Sequence, residues 1–235
     1  MLLKFLGRGS AFNIGEGNTS AYIKFDSHLL LIDCGEGIFE RIIKSNILND
    51  VKRVSIIVTH VHSDHCGSLS SLLYYCYYMK NIIAHVYFPD DQLRDLLKIF
   101  GNIENRDYKF IRLPFSKGSD IGFSNIEPVR VEHSKEFACY GYIITLGDKK
   151  IWYSGDCRGV SDIVNKYKFD EIYQDTCLGD YEGNVHTSLR VLCESIPRDR
   201  RKNIYCMHID CDELIKKAEK EGFNVVEVHR FEKYN

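Results

Sequence analysis

Several features that would assign a class of function directly are missing from the chain. Its 31 Lys and Arg residues against 33 Asp and Glu residues give a formal charge of −2, which leaves no excess of positive charge for the phosphate backbone of long nucleic acids. No apolar run reaches the length of about 18 residues that a membrane-spanning helix needs. The start of the chain, MLLKFLGRGSAFN, turns to Gly and Ser too early for a signal peptide. We therefore expect a cytoplasmic protein.

Paired cysteine motifs and linker-like segments are missing too. The nine cysteines are scattered singly from Cys34 to Cys211 without a CxxC pair, which is typical of free thiols in a reducing compartment. Low-complexity stretches and internal repeats are absent as well. The 235 residues therefore predict one domain, 1–235, because single cores stop growing only near about 250–300 residues.

Short apolar runs alternate with amphipathic segments along the chain, which predicts an α/β fold. Paired strands come first and strand–helix alternation follows, which favours two sheets sandwiched between helices. The predicted strands are Leu2–Leu6, Ser20–Phe25, Leu29–Asp33, Val54–Thr59, Ala84–Phe88, Ile126–Glu132, Gly141–Leu146, Ile151–Ser154, Glu171–Gln174, Asn203–Met207 and Val225–Val228. The predicted helices are Gly37–Ile47, Asp64–Met79, Asp90–Phe100, Val160–Tyr167, Thr187–Ser195 and Asp210–Glu221.

Ionisable residues stand at the ends of six predicted strands. They are Asp33, His60, His133, Asp156, Asp175 and His208. In α/β sheets, ligand sites collect beyond the carboxyl ends of the strands. We therefore expect these side chains to converge from distant parts of the sequence.

The densest chemical signal is the segment THVHSDH at positions 59–65. His60 and His62 share a face of an extended chain, while Asp64 and His65 begin the next helix and turn towards a second point. This spacing suits two adjacent metal ions. Imidazole and carboxylate without thiolate favour zinc, with manganese or iron as alternatives. A helix cap alone would not require three histidines.

His133, Asp156 and His208 complete this cluster from other strand ends. Each residue taken singly is more simply structural, but together with the cluster they supply the missing ligands. Asp156 suits a bridging position, because a carboxylate has two oxygens to offer and an imidazole normally one nitrogen.

The order His60-x-His62-x-Asp64-His65, His133, Asp156, His208 resembles the motif signature of the metallo-β-lactamase superfamily, and Asp33 in LLLIDCG matches its first motif. The resemblance covers essentially the whole chain and implies an αββα sandwich with a dinuclear metal site, holding two Zn²⁺ or Mn²⁺ per protomer. By position it implies that one metal is bound by His60, His62 and His133, and the other by Asp64, His65 and His208. Asp156 would lie between the metals, and Asp33 would orient the metal loop. His62 replaces the glutamate of the oxidoreductase branch, so the resemblance indicates a hydrolase.

Two further segments resemble the ribonuclease Z-like phosphodiesterases. The opening FLGRGSA at 5–11, with Asn18-Thr19-Ser20 before the second strand, is similar to the start of that branch. Asp175-Thr176 and His186-Thr187-Ser188 are similar to its acidic-Ala-Thr and His-Ser-Thr motifs. In this interpretation Asn18 and Ser188 contact the substrate.

Phosphodiester hydrolysis gives His186 a function. Metals account for activation of the nucleophile, but the departing alkoxide needs a proton. A histidine near the cleft, oriented by Asp175, is the expected general acid, and Asp64 is expected to receive the proton of the nucleophile. A helix cap made by Thr187 and Ser188 is the structural alternative.

One part of ribonuclease Z has no counterpart in this chain. That enzyme carries a long tRNA-docking arm between its third and fourth metal motifs, whereas His133 and Asp156 are 156 − 133 = 23 positions apart. This segment has room only for a short loop and two strands joined at Gly147-Asp148. The segment NIGEG at 13–17 also contains no Lys or Arg. We therefore expect a small phosphodiester as substrate rather than tRNA.

The whole pattern is most similar to the compact cyclic-nucleotide phosphodiesterases called anti-Pycsar proteins. That resemblance implies hydrolysis of 3′,5′-cyclic mononucleotides, pyrimidine ones included, to nucleoside monophosphates. It also implies removal of an antiphage signal, in the host cytoplasm for a phage-encoded protein, and a homodimer. Three alternatives stay open: a tRNA 3′-end endoribonuclease, a lactonase, lactamase or thioesterase of the same fold, and a metal-free binding module.

Two surface features have structural interpretations. Tyr74, Tyr77 and Tyr78 fall at i, i+3 and i+4 of a predicted helix, which favours a buried or subunit-facing stripe over stacking on a nucleobase. The basic run RDRRK at 198–202 is most simply a solvated loop.

Overall fold

The computed structural model describes residues 1–114 and 125–228, which divide into two compact units. Unit 1 comprises residues 1–8, 17–113 and 227–228, and unit 2 comprises residues 9–16 and 114–226, apart from the undescribed residues 115–124. Each unit contains one six-stranded sheet. The expectation of a single domain stays a prediction.

The sheet of unit 1 has the strand order β1-β2-β3-β4-β5-β6. The strands are β1 Lys4–Gly7, β2 Ser20–Phe25, β3 His28–Ile32, β4 Arg53–Ile57, β5 Ala84–Phe88 and β6 Tyr108–Arg112. Strands β1 to β3 pair antiparallel and strands β3 to β6 pair parallel. The helices are α1 Ile38–Lys44, α2 Ser63–Cys66, α3 Leu69–Lys80 and α4 Gln92–Ile99. Parallel pairing brings the carboxyl ends of β3 and β4 to the same edge of the sheet.

The sheet of unit 2 has the order β12-β11-β10-β9-β8-β7. The strands are β7 Asn125–Val131, β8 Cys139–Leu146, β9 Lys149–Tyr153, β10 Glu171–Asp175, β11 Ile204–Met207 and β12 Asn224–Val225. Strands β7 to β9 pair antiparallel and strands β9 to β12 pair parallel. The helices are α5 Ile163–Lys166, α6 Leu189–Ser195, α7 Asp212–Lys220 and a 3₁₀ helix Arg198–Asn203. The carboxyl ends of β7, β9, β10 and β11 therefore share one edge.

Burial follows the apolar runs of the sequence. In β3 the residues from Leu29 to Ile32 are completely buried, and in β4 so are Val54, Ile56 and Ile57. Continuous apolar strands of this kind are typical of parallel sheets that are covered on both faces. In unit 2, Trp152, Leu192 and Leu214 lie in one buried cluster.

The segment predicted as one helix, Asp64–Met79, forms two helices. The Gly67 N–H bonds to the Ser63 carbonyl at 2.7 Å and ends α2, while the next N–H, of Ser68, bonds to the Cys34 carbonyl at 3.1 Å. Because Ser68 is held by the loop after β3, the chain turns before α3 begins. The prediction of a single helix was therefore wrong.

Two further elements were missed. The strand β6 carries charged residues at two of its five positions. This edge strand therefore lacks the apolar run by which the other strands were predicted. The basic run forms a 3₁₀ helix, not a loop, and its Arg201 is only 7% exposed. The Arg201 guanidinium donates to the carbonyls of Cys193, Ile196 and Glu221.

The tyrosine stripe on α3 is not core. The buried residues of this helix are Leu69, Leu72, Leu73 and Cys76, whereas Tyr78 is 63% exposed. The core interpretation is therefore wrong for Tyr78. The subunit-facing interpretation stays a prediction.

All nine cysteines lie in the described residues, and none of them forms a disulfide. Burial raises the pKa of Cys34, Cys76 and Cys206 to about 12, so these thiols are protonated and poorly nucleophilic. None of the helices within residues 1–114 and 125–228 combines the length and the apolar character needed to cross a membrane.

Candidate metal centre

Asp33 is the anchor of the candidate site in unit 1. It follows β3 in the left-handed region, with φ of 63°, and is completely buried. Its Oδ1 accepts the Thr59 N–H at 2.7 Å, and its Oδ2 accepts the Thr59 hydroxyl at 2.9 Å. Burial raises the pKa of the Asp33 carboxyl, and His65 and Thr59 oppose this effect. The carboxyl thus ties the end of β3 to the segment after β4.

Thr59 and Asp33 together orient two of the candidate ligands. The His65 Nδ1 lies 2.9 Å from the Asp33 Oδ2, and the His60 Nδ1 lies 3.1 Å from the Thr59 hydroxyl. When Nδ1 of each ring donates to these oxygens, the lone pair of each ring is on Nε2, the atom left to bind a metal. The role of Thr59 is not predictable from the sequence, where the one pointer to it is the position directly before His60.

The candidate ligand atoms of unit 1 lie close together. The His60 Nε2 is 2.9 Å from the His62 Nδ1, and the His65 Nε2 is 3.2 Å from the Asp64 Oδ2. His60 and His65 are buried, with ring centroids 4.1 Å apart. The four residues that the sequence analysis selected from positions 60–65 are therefore brought together as two pairs.

A glycine allows this approach of two loops. A Cβ at Gly35 would lie 2.0 Å from the Asp64 carbonyl oxygen, so no other residue fits there without displacing the backbone. The Cys34 N–H bonds to the His65 carbonyl at 2.7 Å. The backbone after β3 therefore packs directly against the ligand segment and fixes the position of Asp64.

Asp156 is the centre of the candidate site in unit 2. Its Oδ2 lies 3.3 Å from the His208 Nε2, 3.6 Å from the His133 Nε2 and 3.9 Å from the His186 Nδ1. The side chains of Asp156, His133 and His208 are at most 4% exposed. Ligand atoms of Asp156, Asp175, His186 and His208 all lie within 4.8 Å of one another. The strand ends of this sheet thus bring together the residues predicted from four separate motifs.

Asp175 and His186 form a hydrogen-bonded pair beside Asp156. The His186 Nδ1 lies 2.9 Å from the Asp175 Oδ2, which also accepts the Cys157 N–H at 2.9 Å. Burial lowers the pKa of His186, but the charge and hydrogen bond of Asp175 outweigh it, so the pKa is raised. Burial likewise favours a higher pKa for Asp175, and His186 outweighs this, so its pKa is lowered. Both shifts favour an imidazolium–carboxylate pair.

The exposure of the two partners differs. The His186 side chain is 24% exposed and that of Asp175 is completely buried. A molecule arriving from solvent can therefore reach the imidazole but not the carboxylate. Asp175 acts on a ligand only through His186.

The two predicted substrate contacts have partners within the protein. The Asn18 Oδ1 accepts the Gly37 N–H at 3.1 Å. The Ser188 hydroxyl donates to Asp180 at 2.9 Å and caps α6 by accepting the Val191 N–H. The capping alternative is thus correct for Ser188, while Thr187 instead donates to the carbonyl of Cys157 at 2.9 Å. Contact of Asn18 and Ser188 with a substrate stays a prediction.

The donor set fits a divalent metal. Zinc binds imidazole nitrogen and carboxylate oxygen at about 2.0–2.2 Å, so two ligand atoms on one tetrahedral ion lie about 3.3 Å apart. The separations within each unit run from 2.9 Å for His60 and His62 to 3.6 Å for His133 and Asp156. They bracket this value, and the donors are nitrogen and oxygen without thiolate. The clusters therefore have the chemistry and spacing of divalent-metal ligands.

Comparison with known proteins places the chain in a family. The sequence model of the family Anti-Pycsar protein Apyc1 matches residues 1–231. The Anti-Pycsar protein Apyc1 of Bacillus phage vB_BveM-Goe7 is 27% identical over 261 residues, 94% of this chain and 94% of that protein.

Two solved structures show the fold. The metallo-β-lactamase fold protein YhfI from Bacillus subtilis has a TM-score of 0.74 at 16% identity, over 97% of this chain and 96% of that chain. The short form of human tRNase Z has a TM-score of 0.70 at 21% identity, over 98% and 97%. The predicted α/β metallo-β-lactamase fold and the predicted likeness to ribonuclease Z are thus confirmed. Family, fold and clusters together support a metal-dependent hydrolase, and the chain belongs to the Anti-Pycsar protein Apyc1 family.

Proposed function

We propose that this protein is a dinuclear metal-dependent phosphodiesterase that opens 3′,5′-cyclic mononucleotides, cyclic pyrimidine nucleotides included, to nucleoside monophosphates. Its biological role is to counter cyclic-nucleotide antiphage signalling. The family match supports a small cyclic nucleotide as the substrate. The observation that carries the reaction type is the buried Asp175 bound to the accessible His186 beside Asp156.

Seven side chains would hold the two cations, Zn²⁺ or Mn²⁺. They are His60, His62, Asp64, His65, His133, Asp156 and His208. When bound, such cations lower the pKa of water and offset the negative charge of a phosphodiester. The orientation of His60 and His65 by Thr59 and Asp33 supports this role, because ligating histidines commonly donate their other ring nitrogen to a fixed oxygen.

The protein side chains move two protons. In ring opening the water oxygen forms a bond to phosphorus, the bond from phosphorus to one ribose oxygen breaks, and that oxygen takes a proton. His186 donates this proton from Nε2, because Nδ1 is bound to Asp175 and fixes the orientation of the ring. Asp64 accepts the proton that the attacking water loses.

A tRNA 3′-end endoribonuclease is the main rival. Between His133 and Asp156 the chain forms β8 and β9. A two-residue turn, Gly147 and Asp148, joins them and is closed by the paired residues Leu146 and Lys149. The short hairpin supports the expectation of a small phosphodiester substrate, because it occupies the part of the chain where ribonuclease Z carries its docking arm. The formal charge of −2 also disfavours binding of a long polyanion.

A substrate panel tests the proposal. The zinc- or manganese-loaded protein is incubated with separate 3′,5′-cyclic mononucleotides and with a precursor tRNA, and products are quantified chromatographically. Ring opening that disappears in His62→Ala and falls strongly in His186→Ala is the expected result. Cleavage of precursor tRNA with intact cyclic nucleotides would establish the rival. Equal activity of wild type and His186→Ala would favour the lactonase or thioesterase class.

A further inference from the structure

His186 is carried by a loop that is closed at its base. The Cys177 N–H donates to the Thr187 carbonyl at 2.9 Å, and the Leu189 N–H donates to the Cys177 carbonyl at 2.9 Å. Between these bonds the chain runs outwards over residues 178–186. The position of His186 therefore depends on what holds this loop above its base.

Apart from Leu178 at the base of the loop, which packs against the core cluster of unit 2, apolar packing contributes little to that hold. Across residues 178–186 only Asn184 is buried, while Tyr181 is 67% exposed and Val185 is 39% exposed. The single buried side chain of the loop is thus a polar one. Hydrogen bonds rather than hydrophobic contacts must fix its conformation.

Asn184 uses both ends of its amide inside the loop. Its Nδ2 donates to the Gly179 carbonyl at 2.9 Å and to the Cys177 Sγ at 3.2 Å. Its Oδ1 accepts the backbone N–H of His186 at 3.0 Å. The amide therefore spans the loop from the strand side to the residue that carries the imidazole.

Three bonds thus define the placement of His186. Asn184 holds its backbone, Asp175 holds its ring at 2.9 Å, and the following Thr187 hydroxyl donates to the Cys157 carbonyl at 2.9 Å. Without the Asn184 bond, the backbone just before His186 keeps the contact between the Val185 carbonyl and the His133 Nδ1 at 3.2 Å, but the N–H of His186 loses its acceptor. We expect the His186 backbone to shift about this contact and the ring Nε2 to shift with it.

We propose that Asn184 is a positioning residue whose amide sets the location of the proton that His186 delivers to the leaving ribose oxygen. The proposal rests on the phosphodiesterase function described above. A misplacement of about 1 Å in a reacting group can cost about 10²-fold in rate. The effect of Asn184 should therefore depend on how much the leaving group needs a proton.

Two substrates separate this role from a general loss of structure. In a cyclic nucleotide the phosphorus–oxygen bond breaks to give a ribose alkoxide, which requires the proton. In bis(4-nitrophenyl) phosphate the same kind of bond breaks to give a nitrophenolate, which is stable as an anion. Asn184→Ala is expected to lower kcat for the cyclic nucleotide by about tenfold or more, with KM little changed. Its kcat for the nitrophenyl ester is expected to stay within about twofold.

Asn224→Ala is the matched control, because it removes another bridging amide of unit 2. The Asn224 Nδ2 donates to the Lys202 carbonyl at 2.8 Å, outside the His186 loop. Both substrates should be turned over by this variant at wild-type rates. If Asn184→Ala does not fold, Asn184→Asp replaces it, since a carboxylate oxygen would repel the Gly179 carbonyl and give the same dependence on the leaving group.

Amide hydrogen exchange at His186 gives a readout that does not need activity. Exchange should accelerate in Asn184→Ala and stay unchanged in Asn224→Ala. Unchanged exchange, or equal losses of kcat on both substrates, would overturn the positioning role of Asn184. This holds even if His186→Ala loses activity only on the cyclic nucleotide. If the wild type leaves cyclic nucleotides intact, or if His186→Ala shows no dependence on the leaving group, the proposed function itself fails.

Discussion

Asp33 and His65 stand 32 positions apart and are joined by a hydrogen bond of 2.9 Å between Oδ2 and Nδ1. Through this bond a buried carboxylate at the end of one strand orients a candidate ligand that follows the neighbouring strand. The metal loop of unit 1 is therefore built by pairing two strand ends. Its geometry can be tested by changing Asp33, without replacing any of the metal ligands.

Asp33→Asn removes the negative charge and offers the Thr59 N–H and His65 at most one amide oxygen. We expect the affinity for zinc to fall by roughly 10- to 100-fold, measured by competition with a chelator. Asp26→Asn is the control, because Asp26 is an exposed turn residue of the same unit. Equal zinc affinity of Asp33→Asn and wild type would contradict the orienting role.

Gly35→Ala tests the close approach of the two loops. Its Cβ would lie 2.0 Å from the Asp64 carbonyl oxygen, so the backbone must shift. We expect a loss of about 1–3 kcal/mol in the free energy of unfolding and weaker metal binding. Gly37→Ala has no heavy atom within 4 Å of the added Cβ and should behave as wild type. Denaturant titration of both variants decides between these outcomes.

Arg201 is expected to contribute strongly to the stability of the fold, although its sequence segment resembles a solvated surface. Replacement by Ala leaves the carbonyls of Cys193, Ile196 and Glu221 without their donor. We expect a loss of at least about 2 kcal/mol in the free energy of unfolding, measured by denaturant titration. Arg198→Ala is the control and should be near neutral, because the Arg198 guanidinium makes an exposed hydrogen bond to the Lys220 carbonyl at 3.3 Å. Similar small effects in both variants would show that the basic run is a solvated segment after all.

Metal content tests the proposed ligand set. Protein purified with ample zinc or manganese should hold two ions per chain, and His62→Ala and His208→Ala should each hold fewer. Chelation should lower Tm, because a metal bound only by the folded state stabilises that state. Elemental analysis and thermal unfolding supply the two measurements. A wild type free of metal under these conditions would favour the binding-module alternative.

The Asp107 carboxyl is expected to make the free energy of unfolding depend on pH. Burial favours a higher pKa for this carboxyl, but hydrogen bonds from Arg106 and from the Ile103 N–H outweigh it, so the pKa is lowered. A carboxyl with a lowered folded-state pKa stabilises the fold above its unfolded pKa of about 3.9. This contribution disappears as the pH falls through the folded-state pKa.

The Asp107→Asn variant isolates this contribution. The difference in unfolding free energy between wild type and variant should be constant near neutral pH and shrink below about pH 4. Denaturant titrations across that range measure it. A difference that is independent of pH would show that the charge of Asp107 does not stabilise the fold.

The sequence predicted the elements whose pattern is local and strong. The bounds of β2 and β5 agree with the predicted strands, and the ionisable residues at strand ends converge within each unit. Parallel pairing explains why this prediction works, since it places the ends of neighbouring strands at one edge whatever the loops between them do.

The failures have a common physical cause in tertiary contacts. Ser68 ends one helix and precedes another because its N–H bonds to the Cys34 carbonyl, 34 positions away in the chain. Arg201 is buried because three carbonyls need donors, and no pattern in its own segment shows them. The role of Asn184 cannot be predicted from the sequence, because a single Asn in a polar stretch indicates no function until its hydrogen-bond partners are known.

The left-handed backbone of His208, with φ of 60°, has an evolutionary consequence. An L side chain costs about 1–2 kcal/mol in this conformation, whereas glycine adopts it freely. The buried ring of His208 lies 3.3 Å from the Asp156 carboxylate, so glycine would relieve the strain but leave a cavity beside a buried charge. Position 208 is therefore expected to change during evolution together with Asp156 rather than alone.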